Sequence, residues 1–186
     1  DFNTASEAYF TISDEELEEV ETLVCSICQC EQLPIKSVSM LTCKDCKLSV
    51  HTYCYGSEGI KDENDFSCYR CRNMHEAKYS HNYQCIMCPI KQTKQSSAIQ
   101  PTIGSNWIHS SCALWLPKLL LISSQQDNLI AGMGLIKEEN YKSICSFCNQ
   151  SQGACILCAE CNFPSHVTCA QYAGLDLYID LDTNEP

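Results

Sequence analysis

Nine pairs of potential metal donors, each separated by two residues, run through this chain. They are Cys25/Cys28, Cys43/Cys46, His51/Cys54, Cys68/Cys71, Cys85/Cys88, His109/Cys112, Cys145/Cys148, Cys158/Cys161 and His166/Cys169. They use most of the 17 cysteines and three of the five histidines. Two donors at that spacing meet one metal ion from a single turn, and two such pairs complete the tetrahedral Cys/His shell that zinc takes in structural sites. One such pair is a weak signal; nine in succession point to an array of zinc modules whose work is binding. Hydrolytic zinc chemistry fits poorly, because a catalytic zinc keeps a position open for water and four of the sites here have four side chains each. No Ser/His/Asp set or nucleotide loop stands out, so no residue is assigned a catalytic role and no small-molecule substrate is expected.

The order of the pairs sets the organisation. Residues 23–73 offer four Cys, one His and three Cys, and alternate pairs would share a metal. Cys25, Cys28, His51 and Cys54 form one site; Cys43, Cys46, Cys68 and Cys71 form the other. A common RING finger, the ubiquitin-ligase alternative, has its histidine one ligand earlier. Phe66, two before Cys68, is placed to pack between the two sites, and residues 37–41 read as a short strand leading into Cys43. Residues 74–84 read as a polar linker. Residues 85–112 supply a lone site from Cys85, Cys88, His109 and Cys112. Residues 113–144 carry no ligands and read as strands or short helices packed between fingers, with Trp107, Trp115 and Leu119 to Ile122 offering apolar surface there. Residues 145–186 complete one site with Cys145, Cys148, His166 and Cys169 and leave Cys158 and Cys161 as half of another. Either the missing pair lies further along a longer chain, or the site has degenerated; Cys155 is a poor substitute, its spacing competing with Cys161. The expected fold is a small zinc-stabilised α+β architecture, tandem cross-brace fingers joined by a zinc knuckle, with little regular secondary structure.

Composition agrees. Modules this small bury too little apolar surface to fold unaided, and a metal supplies the missing core. Disulfides are the rival staple, but the odd cysteine count and interleaved histidines favour metal. No signal peptide or apolar run long enough to span a bilayer is visible, so a reducing compartment is expected and no membrane contact. The formal net charge is −11, which disfavours phosphate backbones and favours basic partners. DNA contact is therefore expected to be weak or absent, although Lys36, Lys44, Lys47 and the Lys91–Lys94 loop offer a local basic patch. Residues 1–22 form an acidic extension, with Ser13 to Glu16 in capping-box form.

Three stretches carry a family resemblance: Ser49 to Gly56, Trp107 to Trp115, and Gly153 to Cys158 followed by His166 to Gln171. With the ligand order, they make residues 23–180 resemble the PHD finger–zinc knuckle–extended PHD finger (PZP) cassette. Jade proteins, the bromodomain-PHD-finger scaffolds of histone acetyltransferases and related fungal chromatin subunits carry it. The resemblance implies a nuclear chromatin reader, partnered by subunits of an acetyltransferase or deacetylase complex. It implies that Cys155 is a buried non-ligand and that the missing zinc pair normally follows downstream. It implies that the first finger takes the histone H3 N-terminal tail as an added strand, along Ser37, Val38, Ser39, Met40, Leu41 and Thr42. Carbonyls of Glu63, Asn64 and Asp65 would then cradle the tail's amine, and Glu21 and Glu31 would be acids near its lysine. Two positions depart from the pattern. Ser49 stands where methyl-lysine readers carry a cage tryptophan, which favours an unmodified tail. Lys44 and Lys47 stand where many unmodified-tail readers carry acids.

Overall fold

Ligands this closely spaced permit only short elements, and the computed structural model describes residues 23–31, 39–57, 62–91, 98–123 and 127–177. Among these residues, eight strands pair into four antiparallel ribbons. β1 (Met40–Thr42) pairs with β2 (Ser49–His51), β3 (Ile99–Pro101) with β4 (Trp107–His109), β5 (Leu120–Ser123) with β6 (Asn128–Ala131), and β7 (Ile156–Leu157) with β8 (Pro164–Ser165). Five described helices intervene: α1 (Thr52–Tyr55), α2 (Tyr69–Glu76), α3 (Ser110–Trp115), α4 (Glu138–Lys142) and α5 (Val167–Tyr172), with 3-10 turns at Glu63–Asp65 and Met133–Leu135. No helix among the described residues is long and apolar enough to cross a membrane.

The ribbons are stitched into one body by cores that cross module boundaries. Around the first two metal groups, Ile27, Leu41, Val50, Tyr55 and Phe66 pack with Ile99 and Trp107 of the knuckle. On its other side the knuckle's Met87 and Ile108 share a core with Ile130, Ile136, Ile156 and Val167. The third finger approaches so closely at Gly153 (φ +97°) that a Cβ there would lie 2.3 Å from the Met87 carbonyl, and Ala154 N–H donates to that same oxygen at 3.1 Å. A side chain would force the two modules apart. Gln171 on α5 reaches further, its Nε2 donating to the Ile27 carbonyl of the first finger at 3.0 Å.

Several expectations need correction. β1 runs from Met40 to Thr42 with Ser39 outside it; Ser37 and Val38 lie outside the described residues, as do Glu21, Lys36 and the capping box. The segment 74–84 is no simple polar linker. α2 runs on to Glu76, and Tyr79 and Tyr83 then pack against Trp107 with ring centroids 5.9 and 5.0 Å away. Trp107 is fully buried, as an inter-finger residue should be, but Leu120, Leu121 and Ile122 are 58%, 42% and 47% exposed. Besides Ile130 in the core shared by the knuckle and the third finger, the β5–β6 hairpin bonds to its surroundings through polar groups. Asn128 N–H donates to the Tyr69 hydroxyl at 2.7 Å, its side-chain amide donates to the Gly56 carbonyl, and Asp127 pairs with Arg72 at 3.0 Å. On β6's other side, Ile103 N–H donates to the Ile130 carbonyl at 3.1 Å.

Candidate metal centres and peptide-binding edge

Each metal site is assembled from a tight turn and a second donor pair. In both turns of the first finger, and at Cys145/Cys148 and Cys158/Cys161, the residue after the second cysteine adopts a left-handed conformation: Gln29, Lys47, Asn149 and Asn162 have φ of 60°, 63°, 56° and 56°; in the knuckle that residue is Pro89. In those four left-handed turns its N–H donates to the carbonyl of the first cysteine, at 2.9, 2.9, 2.8 and 2.8 Å. The end of a ribbon delivers the His/Cys pair at three sites, and the start of α2 delivers Cys68 and Cys71 at the fourth. Cys25, Cys28, His51 and Cys54 converge, as do Cys43, Cys46, Cys68 and Cys71; Cys85, Cys88, His109 and Cys112; and Cys145, Cys148, His166 and Cys169. Within each group the donor atoms all lie within 4.8 Å of one another. The sequence grouped all sixteen of these residues in this way.

The separations fit zinc. Bond lengths of about 2.3 Å to sulfur and 2.0–2.1 Å to nitrogen in a tetrahedron put sulfurs roughly 3.8 Å apart and sulfur roughly 3.6 Å from nitrogen. Cys46 and Cys68 sulfurs are 3.7 Å apart. His51, His109 and His166 hold Nδ1 at 3.3, 3.2 and 3.4 Å from the sulfurs of Cys28, Cys88 and Cys148. All seventeen cysteines are free of disulfides. His51 Nε2 lies 3.2 Å from the Glu31 carbonyl, which can only accept, so Nε2 carries the proton and Nδ1 keeps its lone pair for metal. The sulfurs are prepared for charge. Cys25 Sγ accepts the His51 N–H at 3.3 Å and Cys43 Sγ accepts the Cys68 N–H at 3.3 Å. A hydrogen bond with Cys54, then backbone amides, hold the Cys25 thiol down at about 4. Burial pushes Cys43 up, but the amides of Cys46 and Cys68 outweigh it and bring the thiol to about 7. Burial disfavours the His109 imidazolium, yet hydrogen bonds with Cys85 and Cys88 outweigh it and raise its pKa to about 10. The protein's cofactor is zinc.

A family model described as a PHD-zinc-finger like domain matches residues 83–185, and one described as a PHD-finger matches residues 39–72. The chain belongs to the PHD zinc-finger family. It has the PHD finger–knuckle–PHD finger order, and its fold matches the crystal structure of the zebrafish PHF14 PZP module with a TM-score of 0.63 and 24% identity, over 88% of this chain and 82% of that one. Protein Jade-1 of Xenopus laevis is 33% identical over 160 residues, covering 84% of this chain and 18% of that protein. The histone-lysine N-methyltransferase ATX2 of Arabidopsis thaliana is 30% identical over 153 residues, covering 81% of this chain and 13% of that protein. The chain thus spans less than a fifth of either curated relative.

The remaining site residues of this PHD cassette fall into two groups. Cys158 and Cys161 are exposed on a turn of the same build as the complete sites, with Cys158 N–H donating to the Phe163 carbonyl at 3.1 Å. No third donor joins them among the described residues. Cys155 is buried beside Cys145, Cys148 and Cys169 without entering their group, and burial first, then the neighbouring sulfurs of Cys145 and Cys148, push its thiol up to about 12.

The expected peptide edge of the first finger sharpens under the strand register. Thr52 N–H donates to the Ser39 carbonyl at 3.0 Å and Cys43 N–H to the Leu48 carbonyl at 2.8 Å. Alternate residues of an antiparallel pair exchange both bonds, so Ser39 and Leu41 turn their backbone inward, and the Leu41 side chain is buried. Of the described residues of that run, Met40 and Thr42 present backbone groups outward while Ser39 and Leu41 do not, so the edge is lined by alternate residues. Glu63, Asn64 and Asp65 form the exposed 3-10 turn beside β1. The Asp65 carboxylate is paired with Lys44 at 2.6 Å. Lys47 Nζ donates to the Lys44 carbonyl at 3.2 Å. The two departing lysines are thus engaged locally. Ser49 Oγ lies 3.1 Å from Thr42 Oγ1. Sequence reasoning missed Asp127, Asn128, Asn140 and Gln171, isolated polar residues in segments without periodicity.

Proposed function

We propose that this chain is a nuclear chromatin reader module whose first finger takes the N-terminal tail of histone H3, preferably unmodified, as a third strand along β1, and so positions a histone-modifying complex. The observation that carries this reading is the outward edge at Met40 and Thr42, which no described residue pairs. Main-chain bonds along such an edge give affinity, and flanking pockets give selectivity. Charge is arranged to suit a basic peptide. Eight of the 23 acids lie in residues 1–22 and three in 178–186, while the twelve acids of residues 23–177 balance all twelve Lys and Arg. The attraction therefore comes from the termini, and the cassette body has no net charge to offer nucleic acid. The relatives' names, a histone-lysine methyltransferase among them, support chromatin as the setting. With four side chains at each complete site, the zinc ions hold structure, and the module binds rather than catalyses. Exposure of Leu120, Leu121 and Ile122 favours a second role, docking other subunits of an acetyltransferase or deacetylase complex.

Isothermal titration with unmodified, lysine-trimethylated and N-acetylated H3 tail peptides tests the first role. Trimethylation should weaken binding, because the ammonium donors are lost and no cage replaces them. Acetylation of the amine should weaken it further, by removing charge and donors together. Met40→Pro should abolish binding with zinc retained, since it removes an outward N–H. Equal affinity for all three peptides, or none for any, would leave the docking role alone.

A further inference from the structure

The molecule contains three hairpins built to one plan. In each, the residue after the first cysteine donates its N–H to the carbonyl two before the histidine: Ser26 to Ser49 at 2.9 Å, Ile86 to Trp107 at 3.0 Å, Ser146 to Pro164 at 3.0 Å. In each, the histidine N–H donates to that first cysteine's sulfur, at 3.3, 3.4 and 3.4 Å. The register also repeats. Met40 faces His51 and Ile99 faces His109, and continuing the β7–β8 register past Ile156↔Ser165 sets Cys155 opposite His166. By the alternation of bonded pairs, these three residues and those two beyond them, Thr42, Pro101 and Leu157, turn their backbone groups to the outer edge.

What meets that edge differs. On the knuckle, the Tyr55 hydroxyl donates to the Ile99 carbonyl at 3.4 Å, and Pro101 has no N–H to offer. On the third finger, Asn140 of α4 clamps Cys155 from both sides. Its backbone carbonyl accepts the Cys155 N–H at 2.9 Å, and its Nδ2 donates to the Cys155 carbonyl at 2.8 Å. Asn140 thereby imitates one residue of an added strand, and it is buried. On the first finger, neither Met40 nor Thr42 has such a partner among the described residues.

We infer that Asn140 closes the third finger to extended peptides and that, with Tyr55 and Pro101 closing the knuckle, it steers them to the first. This rests on the strand-addition reading above. It makes Asn140 a specificity residue far from the peptide it directs.

Residue-resolved amide exchange on the zinc-loaded chain tests the inference. Without peptide, the Cys155 amide should exchange more slowly than those of Met40 and Thr42. Unmodified H3 tail peptide should slow Met40 and Thr42 and leave Cys155 and Leu157 unchanged. Asn140→Asp sets a carboxylate against the Cys155 carbonyl. It should speed Cys155 exchange by about tenfold, the worth of a lost hydrogen bond, and add a second, weaker event to the titration. Should that variant lose zinc, Asn140→Ala keeps the backbone acceptor and removes only the side-chain donor, giving the same effects in smaller measure. Fast Cys155 exchange in the parent, or peptide protection of Cys155 and Leu157, would overturn the inference. So would a titration unchanged by a variant that retains zinc and has fast Cys155 exchange. A slow Cys155 amide with no peptide protection anywhere would sustain the closure by Asn140 and sink the strand-addition reading instead.

Discussion

The first and third fingers start alike and end differently. Ile27 and Phe147 each lie two residues after the first cysteine of their finger; Leu48 and Phe163 each lie two after the second cysteine of the next pair. Ile27 and Leu48 are buried in the first finger's core. Phe147 and Phe163 are 42% and 43% exposed and lean on each other edge to face at 5.5 Å. The difference is the segment from Phe66 through α2. It brings Cys68 and Cys71 to the second metal group and packs Phe66 and Tyr69 into the same core as Ile27 and Leu48. In a cross-brace finger, ligation and hydrophobic cover thus arrive on one segment. Among the described residues the third finger has no counterpart, so Cys158, Cys161 and the two phenylalanines are all exposed.

The largest effect should come from removing a ligand on each side of this comparison. His51→Ala should unfold the first finger, because structural zinc contributes on the order of 10 kcal/mol to such folds. Cys158→Ser should shift thermal stability of this chain by about 1 kcal/mol or less, in the range of an exposed substitution. Metal analysis should give four zinc ions for the parent chain, matching the four complete groups, and fewer for His51→Ala. A Cys158→Ser chain as damaged as His51→Ala would break the comparison.

The aromatic residues give the next effect. Phe66→Ala should cost about 3–5 kcal/mol in chemical denaturation, as for a buried phenylalanine. Phe163→Ala should cost about 1 kcal/mol, since half its surface already meets water. Similar costs would mean that the phenylalanine pair is as well packed as the first finger's core.

Both ends of this comparison were legible in the sequence to different degrees. Every ligand group was readable, because a donor pair is a local pattern and the order of pairs leaves few ways to share metals. The half-site at Cys158 and Cys161 was readable for the same reason. The strand before Cys43 was visible, but which of its residues face outward depends on register, which spacing does not encode. The contacts that lock modules together were invisible. Gln171 meets Ile27 across 144 residues and Arg72 meets Asp127 across 55, and a single polar residue carries no mark of so distant a partner. The Leu119 to Ile122 run was legible only in part: Leu119 packs against the core between the knuckle and the third finger, as Ile130 of the hairpin does, but Leu120, Leu121 and Ile122 are exposed and Asp127 and Asn128 hold that end of the hairpin by polar contacts.

Asp127 sharpens the comparison at its smallest scale, because it holds the closing segment of the first finger from outside. Its carboxylate takes Arg72 of α2 at 3.0 Å, the Tyr79 hydroxyl at 2.8 Å, and Lys78. Burial pushes this carboxyl up, but Lys78, Tyr79 and Arg72 outweigh it, and its pKa falls below the ordinary 3.8. A group depressed on folding stabilises the fold fully above its unfolded pKa and loses that contribution as pH falls through the folded value. Asp127→Asn should therefore cost about 1–2 kcal/mol near neutrality, a modest figure because Arg72 and Lys78 remain partly solvated. The gap between parent and variant should narrow only at pH below the ordinary carboxyl range. Comparing the two chains at each pH cancels the zinc lost to protonated thiols, which affects both. Amide exchange should locate the loss in α2 and in the segment reaching Tyr83, leaving the third finger untouched. A gap that stays constant down through that acid range would mean that Asp127 acts by packing rather than by charge.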